Sequence, residues 1–254
     1  AWAGRRPGAE LAAKGVDIFL NPSASHFAFG KFDTRKRLVL EGSRAFGATY
    51  LYVNLLGNEA GRIIYDGGTI IAHGGEMVAL GQRFSYADYK VTSALVDIEH
   101  TRMARSRTCS FKPELTTGKD ERLISVPFTF PDMLPEVPSK DHDDRWEHSQ
   151  HLKEEEFTRV IALGLFDYLR KSKQKGFAVS LSGGADSAAV ACLVKLMIDF
   201  AVAELGLKGF IERLGIASLM QCKGVDSLAY ELLICAYQGT QQSSHTTRAA
   251  ATKL

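Results

Sequence analysis

The fold of this chain is indicated most strongly by the stretch Phe177-Ala-Val-Ser-Leu-Ser182-Gly183-Gly184-Ala185-Asp186-Ser187-Ala-Ala-Val-Ala-Cys-Leu-Val194. It predicts a short apolar strand, a glycine-rich turn and then an apolar helix. Because Gly183 and Gly184 lack a Cβ, the backbone can turn sharply there and bring its N–H groups close to an anion. The first turn of the helix adds N–H donors without partners and the positive end of the helix dipole.

The side chains of this turn favour a phosphate group as the anion. Ser182 and Ser187 supply hydroxyls, and Asp186 supplies the carboxylate that a phosphate-bound Mg²⁺ requires. The alternative is an ordinary strand-to-helix turn in which a serine caps the helix. Two glycines, two serines and an aspartate exceed what a cap needs, so we interpret the turn as a phosphate-binding loop.

The loop lacks the lysine of a Walker A motif, and its spacing differs from the dinucleotide fingerprint. It resembles the S-G-G-x-D-S loop of the ATP pyrophosphatase family. Enzymes of that family cleave ATP between the α- and β-phosphates, adenylate a carbonyl oxygen and let ammonia displace AMP. The resemblance implies ATP and Mg²⁺ as cofactors, Ser182 as the catalytic residue that orients phosphate, and Asp186 as the Mg²⁺ ligand. The ATP-binding residues that it implies are Ser180, Leu181, Ser182, Gly183, Gly184, Ala185, Asp186 and Ser187.

Composition sets broad limits on the function. Of the 254 residues, 45% are hydrophobic and 24% are charged, which is typical of a soluble globular protein. The net charge of +2 gives no indication of a nucleic-acid partner or a membrane surface. No apolar run approaches the roughly 20 residues of a membrane-spanning helix. The 4 cysteines show no C-x-x-C spacing, which argues against a disulfide framework or a zinc site and favours a cytoplasmic protein.

The first hundred residues predict a layered α/β unit with several hairpins. One helix is expected at 9–14, and a second has Leu38, Gly42 and Phe46 on one face. The pair Asp66-Gly67 is typical of a hairpin between strands 62–65 and 69–71. A second turn is expected at 73–75. The other predicted strands are 16–20, 48–53, 77–80 and 91–98.

This first unit is similar to the C-terminal half of nitrilase-type glutaminase domains. The resemblance is carried by Asn21-Pro-Ser-Ala-Ser-His-Phe-Ala-Phe-Gly-Lys31, Tyr50-Leu-Tyr-Val-Asn54, Gly57, Tyr65-Asp66-Gly67 and Val96-Asp97. It implies that Ser25 and Lys31 bind glutamine, whereas their ordinary interpretation is a turn serine and a surface lysine.

The chain combines a region similar to a glutaminase domain of this kind with the glycine loop. In this combination it resembles the glutamine-dependent NAD synthetase family. The implied fold is α/β: the C-terminal half of a nitrilase-like αββα sandwich, then the start of a doubly wound parallel-sheet ATP pyrophosphatase domain. The implied reaction is that of a ligase, which converts deamido-NAD to NAD with ammonia from glutamine and releases AMP and pyrophosphate. The implied partners are the small molecules deamido-NAD, glutamine and ATP, and a homo-oligomer is expected for the full-length protein.

The family's glutaminase uses a Cys nucleophile, a Glu base and a Lys, which the resemblance places upstream of Ala1. We therefore expect a fragment truncated at both ends that does not hydrolyse glutamine by itself. Two alternatives remain open at this stage: a catalytically inert remnant that binds adenine nucleotides, and a carbon–nitrogen hydrolase.

The predicted organisation has three parts. Residues 1–126 form the C-terminal part of the glutaminase domain, 127–153 a linker, and 154–254 the N-terminal part of the ATP-binding domain. The linker carries Asp141, His142, Asp143, Asp144, His148 and His151; a solvated connector is favoured there over a metal site, because the spacing matches no structural site.

Beyond the linker, helices are expected at 154–171, 188–203 and 228–237, and 211–219 is ambiguous between helix and strand. Ser243 or Ser244 is expected to cap a last helix. The family has a similar Ser-Ser-x-x-Thr stretch near its substrate pocket, so a binding role for these serines remains an alternative.

Overall fold

The structure, a computed structural model, describes residues 6–59, 61–113, 123–129, 136, 144–239 and 243–253 of the chain. These residues have a mixed α/β fold, as predicted. The N-terminal part contains, in chain order, α1 (Pro7–Ala13), β1 (Ile18–Ser23), α2 (Lys31–Phe46), β2 (Thr49–Asn54), β3 (Leu56–Glu59), β4 (Ile63–Asp66), β5 (Thr69–His73), β6 (Glu76–Leu80) and α3 (Ile98–Arg107).

The C-terminal part follows a single-turn 3₁₀ helix at Arg145–His148. It contains α4 (Leu152–Ser172), β7 (Phe177–Leu181), α5 (Ala185–Leu214), a second 3₁₀ helix (Ala217–Gln221), α6 (Val225–Leu232), β8 (Leu233–Tyr237) and α7 (His245–Lys253). The predicted helices at 9–14 and 154–171 are confirmed, within a few residues, as α1 and α4.

A four-stranded sheet forms the centre of the N-terminal part, with the strand order β1-β2-β5-β6. Strands β1 and β2 are parallel, and the other two pairs are antiparallel. Helix α2 connects the parallel pair and packs on the sheet, so that apolar side chains of both elements are removed from water. The buried residues of this layer are Phe32, Val39, Tyr52, Ile70 and Ala72.

One of the two predicted hairpins is wrong. Asp66 ends β4, but β4 pairs with β3, whereas β5 pairs with β2 and β6. Gly67 has a left-handed φ of 70°, and a carboxylate oxygen of Asp66 accepts the N–H of Gly68 at 3.3 Å. The Asp-Gly pair therefore carries the chain from one sheet to the other. The second predicted turn is confirmed, since it joins β5 to β6.

The predicted strand at 91–98 is also wrong. Its residues alternate in exposure, but Val91 and Leu95 are 77% and 51% exposed, and no described strand pairs with them. Asp97 instead starts α3, because its side chain accepts the N–H groups of Glu99 and His100. The alternating pattern is typical of a strand, but no described strand lies beside residues 91–98 to bury one face of it.

In the C-terminal part, β7 and β8 form a parallel pair. The predicted helix at 188–203 lies within the longer α5, which is kinked at Gly206, where φ is 71° and ψ is 164°. The ambiguous segment 211–219 is helical, in α5 and then the 3₁₀ helix. The predicted helix at 228–237 is wrong beyond Leu232, because the following residues form β8 alongside β7.

The two parts share one hydrophobic core. Phe84 and Tyr86, which follow β6, belong to the same buried cluster as Phe166 of α4 and Phe210 of α5. Helix α4 also packs against β3 and β4. None of the described helices combines the length and the apolar character needed to cross a membrane.

Candidate functional site

The glycine loop has the predicted form of a strand, a sharp turn and a helix. Leu181 ends β7 and is buried, and α5 begins at Ala185. Gly183 adopts a left-handed φ of 77°, which glycine accepts without strain. Gly184 is the residue before the first turn of α5, and no side chain caps that helix. The alternative of an ordinary serine cap is therefore not what the structure has.

The two serines of the loop bind to each other and to the loop backbone. The N–H of Ser182 donates to Oγ of Ser187, and the N–H of Gly184 donates to Oγ of Ser182, both at 3.2 Å. The two hydroxyl oxygens lie 3.3 Å apart on the exposed side of the loop. Two loop amides are thus paired within the loop, and the first-turn amides of α5 remain the uncapped donors.

Helix α7 lies over this loop. A Cβ built on Gly183 would stand 2.3 Å from the carbonyl oxygen of Thr247. A cavity of about 200 Å³ separates the loop from the rest of α7, and Lys253 contributes to its wall. Tyr237 at the end of β8 contacts α7, since its hydroxyl lies 3.3 Å from that of Thr247. The Ser182–Ser187 loop therefore faces a cavity that a cation also lines.

The other predicted loop residues lie on the solvent side. Asp186 is exposed in the first turn of α5, and within the described residues it has no ion-pair partner. Ser180 and Ala185 are also exposed, and Ser180 lies opposite Ala236 in the β7–β8 pair. A free carboxylate suits a hard cation with oxygen ligands, whereas the neighbouring amides suit an anion.

The predicted cap of the last helix is confirmed. The N–H of Thr247 donates to Oγ of Ser244 at 3.2 Å, which makes Ser244 the cap of α7. Ser243 lies next to the Tyr237 phenol. Its hydrogen bond and that of Thr247 lower the pKa of Tyr237.

The second predicted site lies in the loop that follows β1. Ser25 is held there by Asn54, the last residue of β2. The N–H of Ser25 donates to Oδ1 of Asn54 at 2.8 Å, and Nδ2 of Asn54 donates to the carbonyl oxygen of Ser25 at 2.9 Å. This pair of bonds fixes the Ser25 backbone against the sheet.

An ion pair that the sequence analysis missed supports the same loop. Arg35 of α2 binds Asp66, with 2.6 Å between Nη1 and Oδ2. Its second nitrogen, Nη2, donates to the carbonyl oxygen of Ser25 at 2.8 Å, and Asn54 donates to Asp66 at 2.6 Å. The sequence carries a signal for Arg35, because it falls in the buried stripe of α2 that contains Phe32 and Val39.

Lys31 lies beside this network at the start of α2. Its Nζ donates to the carbonyl oxygen of His26 at 2.8 Å, and within the described residues no carboxylate pairs with it. Burial and the neighbouring Arg35 guanidinium lower the pKa of Lys31, and Asp66 opposes them. Ser25 and Lys31 both line a cavity of about 450 Å³ between the sheet and helices α1 and α2.

The structure thus places Ser25 near Lys31, and it places the residues of the glycine loop near one another. The cavity beside Ser25 and the cavity beside the glycine loop share no lining residue. In the linker, Asp141, His142 and Asp143 lie outside the described residues. Among the residues that are described, no group of three or more metal-ligating side chains clusters.

No family model matches the sequence. Relatives nevertheless match nearly all of it. A glutamine-dependent NAD(+) synthetase of Oryza sativa subsp. indica is 33% identical over 98% of this chain and 34% of its own length. That of Mus musculus is 33% identical over 100% of the chain and 35% of its own length.

Solved structures agree with these relatives. A glutamine-dependent NAD(+) synthetase from Cytophaga hutchinsonii is 35% identical, with a TM-score of 0.68, over 95% of this chain and 34% of that one. An Acinetobacter baumannii glutamine-dependent NAD+ synthetase in complex with ADP is 17% identical, with a TM-score of 0.57, over 96% of this chain and 33% of that one, and supports the fold alone.

The fold and these matches define a mixed α/β chain related to synthetases, which are ligases. Within that class, it belongs to the glutamine-dependent NAD(+) synthetase family, as its motifs predicted. The chain spans about a third of the length of the relatives that it matches.

Proposed function

We propose that this chain is part of an enzyme that converts deamido-NAD to NAD, with ATP as the energy source and ammonia from glutamine. ATP adenylates the carboxylate of deamido-NAD and releases pyrophosphate, and ammonia then displaces AMP. The main support is the Ser182–Ser187 loop: the first-turn amides of α5 carry no side-chain cap, and Gly183, Gly184 and Ser187 line a cavity.

In this proposal the loop binds the phosphates of ATP. The backbone from Leu181 to Ala185 approaches them closely because Gly183 and Gly184 carry no side chain. Ser182 and Ser187 exchange their mutual hydrogen bonds for bonds to phosphate oxygens. Negative charge grows on the departing pyrophosphate, so fixed donors at this place lower the barrier.

Asp186 would hold Mg²⁺. Its carboxylate is exposed at the loop and has no ion-pair partner in the described part of the chain, which fits a hard cation. The ion would neutralise phosphate charge when bound. Lys253, which lines the cavity together with Gly183, Gly184 and Ser187, adds a second positive charge.

The N-terminal part would belong to the glutaminase. We propose that residues 1–126 correspond to the C-terminal half of a nitrilase-like αββα sandwich, in which Ser25 and Lys31 bind glutamine. The network of Arg35, Asp66 and Asn54 supports this, because it fixes the loop that carries Ser25. Residues 127–153 would connect this part to residues 154–254, the start of a doubly wound ATP pyrophosphatase domain.

Nucleotide titration of the 254-residue chain tests the central step. We expect ATP to bind in a Mg²⁺-dependent manner, and Asp186→Ala to weaken binding at least tenfold in Mg²⁺ and to remove the Mg²⁺ dependence. Asp199→Ala is the matched control, because Asp199 lies on the same helix and pairs with Lys195. Unchanged titrations for Asp186→Ala would exclude its metal role, and a chain that binds no ATP would contradict the proposal.

A second measurement separates the ligase from a nucleotide-binding remnant. Formation of AMP from ATP, deamido-NAD and free ammonia supports the ligase. Binding of ATP without AMP formation indicates the remnant for the chain alone.

A further inference from the structure

The cavity that contains Ser25 and Lys31 has a polar end and an apolar end. Phe19, Phe46 and their neighbours form the apolar walls, whereas Lys31, Arg35 and Tyr52 lie at the polar end. The volume of about 450 Å³ is in the range of small-molecule sites, which are mostly apolar with a few polar groups that orient the ligand.

Two buried polar atoms at the polar end have no hydrogen-bond partner: the hydroxyl oxygen of Tyr52 and Nε of Arg35. Tyr52 is only 5% exposed and Arg35 only 6%. Burial raises the pKa of Tyr52, and the nearby hydroxyls of Ser23 and Ser25 act to lower it. A buried group of this kind is costly unless a ligand or water binds it.

These groups converge on one place. Nη2 of Arg35 lies 3.2 Å from Oγ of Ser25 and 3.2 Å from the carbonyl oxygen of His26. Lys31 donates to that same carbonyl oxygen. The Arg35 guanidinium lies 5.8 Å from the centre of the Tyr52 ring. Hydrogen-bond donors from three different elements are therefore neighbours.

The charge at this end is incompletely balanced. Asp66 neutralises Arg35, but Lys31 has no carboxylate partner among the described residues. Burial raises the pKa of Tyr52, so its hydroxyl keeps its proton and remains a donor. A set of donors with one surplus positive charge suits an anion with two acceptor oxygens, which is the chemistry of a carboxylate.

We propose that Tyr52 is a ligand-binding residue of this cavity, and that its hydroxyl donates to the α-carboxylate of an amino acid whose charge Lys31 balances. Nε of Arg35 is the second buried donor to the same group. The inference rests on the proposed glutamine site and extends it to a residue that the family resemblance does not assign.

Calorimetric titration of the 254-residue chain tests this with two ligands: glutamine, and 4-aminobutanamide, which is glutamine without its α-carboxylate. We expect Tyr52→Phe to weaken glutamine binding about tenfold and to leave 4-aminobutanamide binding unchanged. Because the variant removes an unpaired hydroxyl, its unfolding temperature should stay the same or rise. Tyr89→Phe is the matched control, since Tyr89 is 76% exposed.

Lys31→Gln is a second variant, and we expect it too to weaken the binding of glutamine and to leave the binding of 4-aminobutanamide unchanged. Equal glutamine affinity in Tyr52→Phe and the unchanged chain would overturn the inference alone. An equal loss for both ligands would overturn the carboxylate assignment, and a lowered unfolding temperature would indicate a structural role for the hydroxyl. If the unchanged chain binds no glutamine, the proposed glutamine site fails as well, whereas ATP binding is measured independently.

Discussion

The carboxylate of Asp66 and the guanidinium of Arg35 form a buried ion pair, with 2.6 Å between Oδ2 and Nη1 and side-chain exposures of 1% and 7%. It joins α2 to the end of β4, and both partners also bind the surroundings of Ser25: Arg35 directly, and Asp66 through Asn54. The two charges therefore fix the geometry of a loop that neither of them belongs to.

Loss of one partner of this pair should strongly destabilise the fold. Arg35→Met leaves the Asp66 carboxylate buried without a counter-charge, and we expect the free energy of unfolding to fall by about 3 kcal/mol or more. Urea denaturation at neutral pH measures this loss. Arg44→Met is the control: its pair with Glu41 is exposed, so we expect a change of about 0–1 kcal/mol. Equal losses in both variants would contradict a special contribution from burial.

A second prediction concerns pH. Burial acts to raise the pKa of Asp17, but hydrogen bonds from Arg102 and Arg105 outweigh it, so the pKa lies below its ordinary value of 3.8. A lowered pKa in the folded state stabilises the protein above the ordinary value, and this contribution is lost as the pH falls through the folded-state value. We therefore expect Asp17→Asn to lower the urea midpoint at pH 7.

The same comparison in acid supplies the check. As the pH falls below 3.8 and through the lower pKa of Asp17 in the folded state, the carboxyl becomes protonated, and the difference in urea midpoint between the variant and the unchanged chain should narrow. If the difference in urea midpoint stays constant from pH 7 into acid, packing and not charge accounts for the contribution of Asp17 to stability.

Local sequence patterns predicted the elements whose stability is mainly local. Helix α4 has apolar residues at helical spacing, and the glycine loop has the residues that its turn requires. The segment Leu233–Tyr237 could not be assigned in this way, because apolar residues continue from α6 without a break. Only its pairing with β7 makes it a strand.

The candidate site shows the same limit. Ser25 and Lys31 were identified through a resemblance, but the Arg35–Asp66 pair brings together residues 31 positions apart. Asp66 was interpreted as a turn residue because the sequence next to it is typical of a hairpin. Its bond to Arg35 depends on the tertiary fold, which the local pattern does not contain.

The last prediction compares the two glycines of the phosphate loop. In Gly183→Ala, the new Cβ would stand 2.3 Å from the Thr247 carbonyl oxygen at a φ of 77°, so strain and a backbone clash both oppose it. We expect α7 to leave the loop and ATP binding to weaken at least tenfold. In Gly184→Ala, φ is −93°, and the new Cβ meets only the Ser182 hydroxyl at 3.2 Å, which can rotate. That variant should keep α7 on the loop and lose less ATP affinity than Gly183→Ala.

Limited trypsin digestion provides an independent readout, because Arg248 lies within α7. If α7 leaves the loop in Gly183→Ala, the bond after Arg248 should be cleaved faster than in Gly184→Ala, since proteases act on segments that have opened. Because both variants add one methyl group to neighbouring residues, a difference between them isolates the effect of backbone angle and contact with Thr247. Equal ATP affinity and equal cleavage in the two variants would show that α7 does not depend on the loop for its position.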